Sequence, residues 1–385
     1  MFIFRSLPPL SLYIHFPWCT RKCPYCDFNS HALTGALPEQ AYVDTLLRDL
    51  EQDLPLIWGR RIISIFMGGG TPSLFSPEAL DRLLGGIRAR LSLAADCEIT
   101  LEANPGSAEA DKFAEFRAAG INRLSIGIQS FDDEPLQKLG RIHDRRQAFA
   151  AAEAAHAAGF DNFNLDLMFA LPDQTLDQAL ADLHNAFALE PAHLSHYQLT
   201  LEPNTWFYHH PPPLPDDDLV WEMQSRSQAL LGEHGYAQYE VSAYARPGRQ
   251  CRHNRNYWEF GDYLGIGAGA HDKISDAAAG RIVRRSKQRG PQDYLQARDL
   301  VQSEQQPDEA EVVFEFMLNA LRLNSGFELA LFEQHTGLSR EVLRPLLQEA
   351  LADGLIEQEN DLIKTSMRGR QYLNDLLARF LPDAG

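Results

Sequence analysis

Residues 19–26 read CTRKCPYC, which places Cys19, Cys23 and Cys26 in a C-x3-C-x2-C pattern. Three thiolates at this spacing can hold three irons of a [4Fe–4S] cubane and leave the fourth iron without a protein ligand. Such an open iron can take the amino and carboxylate groups of an amino acid, as it does with S-adenosylmethionine (SAM), whose reductive cleavage releases a carbon radical. Zinc is the competing chemistry. A structural zinc site wants four protein ligands, commonly as two pairs, and no second pair lies at suitable spacing. His15 and His31 flank the motif and are the candidates to complete a tetrahedral set. The chain has five cysteines, an odd number in a large protein, and no secretion-signal pattern at its start, so they do not read as a disulfide framework. Cys97, at the opening of a strand-like segment, reads as a buried small side chain.

The sequence around the motif alternates strand and helix patterns. Strand-like segments cover 11–16, 62–70, 97–105, 121–130, 163–172 and 193–203. Helical spacing covers 38–54, 76–91, 107–120, 144–158 and 175–189, with Ser76 as an N-cap and Pro77 in the first turn. Six such units in a row predict an α/β fold, a partial (β/α)6 barrel with a parallel sheet and outer helices. The cysteines then lie in a loop past the carboxyl end of the first strand, where such barrels place their sites.

The barrel is assigned to residues 1–235, a barrel extension and linker to 236–306, and a small α+β module to 307–385. In that module three helices precede a hairpin turning near Glu359–Asn360, and a last helix follows, a winged-helix-like order. Its third helix sets Glu341, Glu349 and Asp353 against Arg340 and Arg344, a poor balance for DNA recognition. The module reads as a lid or a protein-docking element.

Polar residues recur at the strand ends. Gly68, Gly69, Gly70 and Thr71 follow the second strand, Glu102 ends the third, Gln129 ends the fourth, and Asp166 lies inside the apolar fifth. The glycines let a ligand approach the backbone, or simply make a tight turn. A buried carboxylate needs a partner, which a structural network or a ligand can supply. Barrel geometry brings these ends to one place. Arg141 follows the fourth strand and is a candidate to face a carboxylate.

With 44% apolar and 23% charged residues, the composition is that of a soluble globular protein. No apolar run approaches the roughly 18–20 residues of a membrane span, and the expected location is the cytoplasm. The formal net charge of −18 argues against nucleic acid as a partner.

The stretches SLYIHFPWCTRKCPYCDF, MGGGTPSL, LEANP, LSIGIQSFDDEPLQKLGR and NLDLMFALPDQT resemble the oxygen-independent coproporphyrinogen III oxidase family of radical SAM proteins. The resemblance spans residues 10–270 and implies a [4Fe–4S] cluster with two SAM molecules. It implies that Tyr13, Gly69 and Glu102 contact the SAM on the cluster. Tyr25, Gly70, Thr71, Gln129, Arg141 and Asp166 would then surround the second. Two features depart from the oxidases of this family. Those oxidases have a fourth cysteine two residues after the third, where this chain has Phe28, and an extension before the first strand, of which this chain has almost nothing. Both departures are similar to the heme-chaperone branch of the family.

Residues 253–258, HNRNYW, resemble an HNxxYW motif of that branch. The resemblance implies heme contacts from His253, Asn254, Tyr257 and Trp258, with the imidazole as an iron ligand and Cys251 as a candidate second one. The plainer reading of His253 is a histidine in a hydrogen-bonded loop. The glycine-rich YLGIGAGAH that follows implies close backbone packing on the barrel or on a ligand. The function implied is a heme chaperone without oxidase activity. Its partners are heme and an acceptor apo-hemoprotein, with a peripheral membrane acceptor and a homodimer as extensions of that reading. Two alternatives stand beside it: radical decarboxylation of coproporphyrinogen III, and a DNA-binding iron–sulfur sensor that the charge disfavours.

Overall fold

The computed structural model describes residues 2–382. Strand β1 (Leu10–Phe16) sets the pattern for the sheet: Leu10, Leu12, Ile14 and Phe16 are buried on one face, and Ser11, Tyr13 and His15 alternate with them on the other. The strands β2 (Arg61–Gly69), β3 (Ser92–Ala103), β4 (Arg123–Gln129), β5 (Phe163–Phe169) and β6 (His193–Gln198) follow in parallel, each beside its predecessor. Helices α1 (Glu39–Asp53), α2 (Pro77–Arg90), α3 (Arg145–Ala157) and α4 (Leu176–Ala188) form the crossovers. Their apolar stripes join the outer face of the sheet in one continuous hydrophobic core. The expected partial (β/α)6 barrel is therefore present.

Local sequence explains the helix starts. Ser76 accepts a hydrogen bond from the Ala79 amide ahead of Pro77. Asp144 with Gln147, and Thr175 with Gln178, form complete capping boxes on α3 and α4. The helix expected over 107–120 is broken into Ser107–Ala110 and Phe113–Ala118. At the break, Lys112 turns its ammonium to the carbonyls of Ser73, Leu74 and Phe75. β3 begins at Ser92 rather than Cys97, because Ser92 and Leu93 pair with Arg61 and Ile62 before an irregularity.

After the helix α5 (Asp217–Glu233), β7 (Ala237–Gln238) and β8 (Ala243–Ala245) extend the β6 edge antiparallel. The chain then crosses beneath the barrel as α6 (Arg252–Trp258) and adds β9 (Asp262–Ile266) parallel to β1. The strands β10 (His271–Asp276), β11 (Arg281–Lys287) and β12 (Val301–Gln305) continue antiparallel. The sheet order is β12-β11-β10-β9-β1-β2-β3-β4-β5-β6-β8-β7. The segment expected as extension and linker thus forms both edges of the sheet.

Buried charges lock this extension to α1. Lys287 lies 2.6 Å from both Asp49 and Asp53, Arg285 pairs with Asp53 and Asp272, and the Tyr294 hydroxyl donates to Asp49. Each charge is matched, which is the condition for burying ions at all.

The carboxyl-terminal module contains α7 (Glu309–Ala320), β13 (Phe327–Glu328), α8 (Leu329–Thr336), α9 (Arg344–Ala352), β14 (Ile356–Glu359) and β15 (Leu362–Thr365). Its sheet order is β13-β15-β14, and Asn360 takes a left-handed conformation at the hairpin turn. The module packs through Phe316 on Phe260, Arg322 on Glu240 and His335 on the Glu259 carbonyl. These contacts lie at the amino-terminal end of the barrel strands, away from the cysteine loop. The module is therefore not a lid over that loop.

Replacing Lys287 with methionine strips a cation from two buried carboxylates, and the loss of stability should be about 3–5 kcal/mol. Urea unfolding of the full chain measures it, and a loss within error of zero would show that the network contributes nothing.

Candidate cluster and ligand site

The inner face of the barrel is polar, layer upon layer. The lowest layer brings Ser11 within 2.7 Å of Ser64 and the Asn164 side chain within 2.7 Å of His193. Glu98 accepts from the Arg252 and His253 amides, so it caps the amino terminus of α6 and fixes that helix as the floor of the lumen. Above the floor, Asp166 accepts from Asn164 at 2.7 Å and Ser125 at 3.2 Å, while Glu102 accepts from the Gly69 amide at 3.1 Å. Burial, and then the neighbouring Asp166 charge, push the Glu102 carboxyl up to about 8 against the opposing Gly69 N–H. Burial likewise raises Asp166 above the ordinary range, against hydrogen bonds from Asn164, Ser195 and Ser125. The buried Arg123 offsets part of this for Asp166 but does not bring it back to the ordinary range, and two raised carboxyls in one lumen suit a positively charged ligand.

At the carboxyl end of the strands the lumen opens into a cavity of about 440 Å³. Cys19, Cys23, Tyr25 and Cys26 line one side, and Gly69, Gly70, Thr71, Glu102, Gln129, Arg141 and Asp166 line the rest. The two glycines are dictated by space. Gly69 has φ +106°, and a Cβ there would lie 2.3 Å from the His15 ring; one on Gly70 would lie 2.5 Å from the Trp18 carbonyl. Gln129 also sits in the left-handed region, φ +69°, at an irregularity in the β4–β5 register. That bend turns its side chain to accept from the Tyr197 hydroxyl at 2.9 Å.

Arg141 is tied down by the Asn104 side chain at 2.7 Å and the Gly127 carbonyl at 2.6 Å, and it reaches Cys23 Sγ at 3.7 Å. Asn104 in turn donates to Thr71. Asn104, Ser125, Asn164 and Tyr197 were not singled out from sequence. The strand alternation that placed Asp166 inward also places Ser125 and Asn164, and Asn104 lies within LEANP.

The three thiols form no disulfide, and burial raises Cys19 and Cys26 above the usual thiol range. Thr71 and Ser30 hydrogen bonds partly offset this for Cys19, and a backbone hydrogen bond from Phe28 does so for Cys26. Among the described residues no three His, Cys, Asp or Glu side chains converge on one ion. His15 commits both ring nitrogens, one to the Tyr13 hydroxyl at 3.0 Å and the other to the Asn29 carbonyl at 2.9 Å. Since a carbonyl only accepts, the proton is on Nε2, and Nδ1 takes the Tyr13 proton. The tetrahedral alternative through His15 is therefore not formed. Three thiols around one rim, with Arg141 Nε buried and lacking a partner, fit a larger anionic cluster with a ligand beside it.

Gly69, Glu102 and Phe28 also face a second, adjoining cavity of about 680 Å³, which Tyr13, Tyr257, Tyr263, His271 and Arg289 line as well. The HNRNYW residues divide. Tyr257 lines this cavity, but His253 is 1% exposed, stacked on Phe66 at 5.0 Å with Nδ1 on Ser64. Burial, with Arg123 adding, holds its pKa down to about 3, and Nε2 has no partner. Glu98 holds the α6 amides, and this imidazole packs into the floor of the lumen rather than lining either cavity. Cys251 is fully buried against Glu98, and burial pushes its thiol up to about 12. Asn254 is half-buried on α6, and Trp258 lies under the Arg322 guanidinium at the module interface.

A Radical SAM superfamily model matches residues 13–185, and a HemN C-terminal domain model matches 308–372. The fold superimposes with a TM-score of 0.81 on coproporphyrinogen III oxidase (HemN) from Escherichia coli, a radical SAM enzyme. That match covers 97% of this chain and 90% of the oxidase at 24% identity. Barrel and three-thiol loop together define a radical SAM protein. In sequence the chain is 52% identical over 378 residues to heme chaperone HemW of E. coli K12, covering 98% of this chain and 100% of the relative. It is 48% identical over 382 residues to HemW of Haemophilus influenzae (98% and 99%) and 34% over 389 residues to HemW of Bacillus subtilis (96% and 99%). The chain belongs to the HemW family of heme chaperones.

A carboxyl raised by folding costs stability as pH climbs from its unfolded value, 4.5, to its folded value, about 8. Below both values there is no cost, and above both the cost is complete. Glu102→Gln in the cluster-free chain should therefore match the parent at low pH. Its urea midpoint should rise above the parent's across that window, then hold a constant lead. An offset that does not change with pH would contradict the buried-carboxyl assignment.

Proposed function

We propose that this protein is a heme chaperone: it binds heme and passes it to an acceptor apo-hemoprotein, with a SAM-coordinated [4Fe–4S] cluster on Cys19, Cys23 and Cys26 supporting the transfer state. The observation that carries this reading is Phe28. It stands two residues after Cys26, is 58% exposed, and lines both cavities. An apolar side chain there offers no fourth thiolate, and it leaves an apolar surface between the cluster site and the neighbouring space.

When bound, the cluster supplies an open iron for SAM and an electron. The chain's own residues do the rest. Glu102 and Asp166 attract a cationic ligand into the lumen, and ligand binding favours their ionised forms. Tyr13 is oriented by His15, and Arg141 is held at the cavity wall by Asn104 and Gly127. Gly69 and Gly70 let a polar ligand reach the backbone. Among the described residues no helix is long and apolar enough to cross a membrane. The acceptor we assign is an apo-hemoprotein met in the cytoplasm or at the membrane surface.

Cluster-loaded, heme-charged protein should transfer heme to a small apo-cytochrome b faster with SAM present than without it. Gel filtration of the charged protein reads whether a second copy takes part. Cys19→Ser, Cys23→Ser and Cys26→Ser should each abolish the visible cluster absorption and the SAM effect. Full iron content in any of these variants would sink the cluster assignment. Transfer equal to passive heme dissociation in the parent would sink the chaperone reading.

A further inference from the structure

The outer surface of the cysteine loop is basic in a protein whose formal net charge is −18. Arg21 and Lys22 stand exposed between Cys19 and Cys23. Neither has a carboxylate partner among the described residues, and the Lys22 ammonium donates to the Phe28 carbonyl at 3.2 Å. Arg289 joins them from the basic run 281–289. In that run Arg281 pairs with Asp276, Arg284 with Glu315, Arg285 with Asp53 and Asp272, and Lys287 with Asp49 and Asp53. The exposed Arg289 has no such partner among the described residues, and its guanidinium meets the Asn29 side-chain oxygen at 3.4 Å. Lys22, His31 and Arg289 line one surface depression with Phe28 and Asn29, and no carboxylate lines it. Burial, and then the charges of Lys22 and Arg289, lower the His31 pKa, which sets the three in one neighbourhood. The exposed Asp27 lines the cluster cavity instead. Backbone contacts hold the patch still. His31–Ala32 pairs in parallel with Trp18–Cys19, the Leu33 amide donates to the Cys19 carbonyl, and Asn29 donates to the carbonyls of Ala268 and Arg289.

We propose that this patch, Lys22 and Arg289 around the exposed Phe28, is the docking surface for a small acidic one-electron carrier protein that reduces the cluster. The inference needs the cluster but not heme, so its failure is distinct from a failure of the chaperone reading. In the transfer one electron leaves the reduced carrier and enters the cluster, with no bond formed or broken and no proton moved. Reductive cleavage of SAM requires an electron from outside the chain. Lys22 directly precedes Cys23, and Phe28 follows Cys26 by two residues. A partner seated here therefore touches the segment that holds the cluster. Charge decides where an acidic partner lands: most of this protein repels it, and the unmatched cations of the patch attract it. Phe28, 58% exposed, supplies the apolar centre that an interface with a charged rim requires. Encounters of this kind are small, weak and sensitive to salt.

The test is calorimetric titration of the cluster-loaded full chain with oxidised plant-type ferredoxin, an acidic carrier of low potential, at low salt and at about 0.5 M salt. Lys22→Glu, Arg289→Glu and the double variant are compared with the parent and with Arg226→Glu, which makes the same charge change at an exposed position of α5. Each patch variant should weaken binding by about tenfold at low salt. The double variant should lose more, and the differences should shrink at high salt. Arg226→Glu should bind like the parent. Reduced ferredoxin should reduce the cluster more slowly in the patch variants, read from the cluster's EPR signal, whereas dithionite should reduce them all like the parent. Because Lys22 and Arg289 are exposed, urea midpoints should stay at the parent value. Equal affinity in the parent and the double variant overturns the inference, as does an equal loss in Arg226→Glu. Weakened heme binding in the double variant with ferredoxin binding intact also overturns it, and gives the patch to the propionates of the cargo. A parent that holds no iron overturns the cluster assignment and the inference together.

Discussion

The barrel encloses polar side chains. A parallel sheet covered by helices ordinarily buries hydrocarbon on both faces, but here the inner strands carry Ser11, Ser64, Glu98, Asn164 and His193 at one level and Ser125 and Asp166 above it. Each of these groups costs free energy unless it finds a partner. The remaining architecture answers that requirement. At the floor, backbone amides at the start of α6 meet Glu98, and Ser64 takes the His253 ring. The carboxyl-terminal module then presses on the far end of α6 through Phe260, Trp258 and Glu259, holding the floor in place.

The upper lumen is solved differently. Glu102 and Asp166 receive enough hydrogen bonds to remain buried, yet burial still holds both carboxyls above their ordinary range. That incomplete satisfaction is what binding chemistry uses, because a cationic ligand completes it. The same economy explains the glycines: Gly69 and Gly70 sit where His15 and the Trp18 carbonyl leave no space for a side chain, so the ligand meets backbone.

Much of this was legible in the sequence. The strand and helix order followed from periodicity and caps, and the cysteine loop fell at a strand end as barrel geometry requires. Asp166 stood out as a carboxylate in an apolar strand, and it lies in the lumen. HNRNYW gave residue types but not the direction in which a helix turns them. Glu98, ninety-odd positions into the chain and unremarkable in CEITLEANP, decides that direction by capping α6. The module's placement beneath the barrel was equally invisible to local pattern.

The central claim is that this radical SAM barrel carries heme rather than making its precursor. Anaerobic incubation of the cluster-loaded protein with coproporphyrinogen III, SAM and a reductant tests it most directly, with mass spectrometry of the products and an authentic oxidase run in parallel. The account predicts no decarboxylated product from this protein while the control turns over. Protoporphyrinogen formed at the control's rate would contradict it.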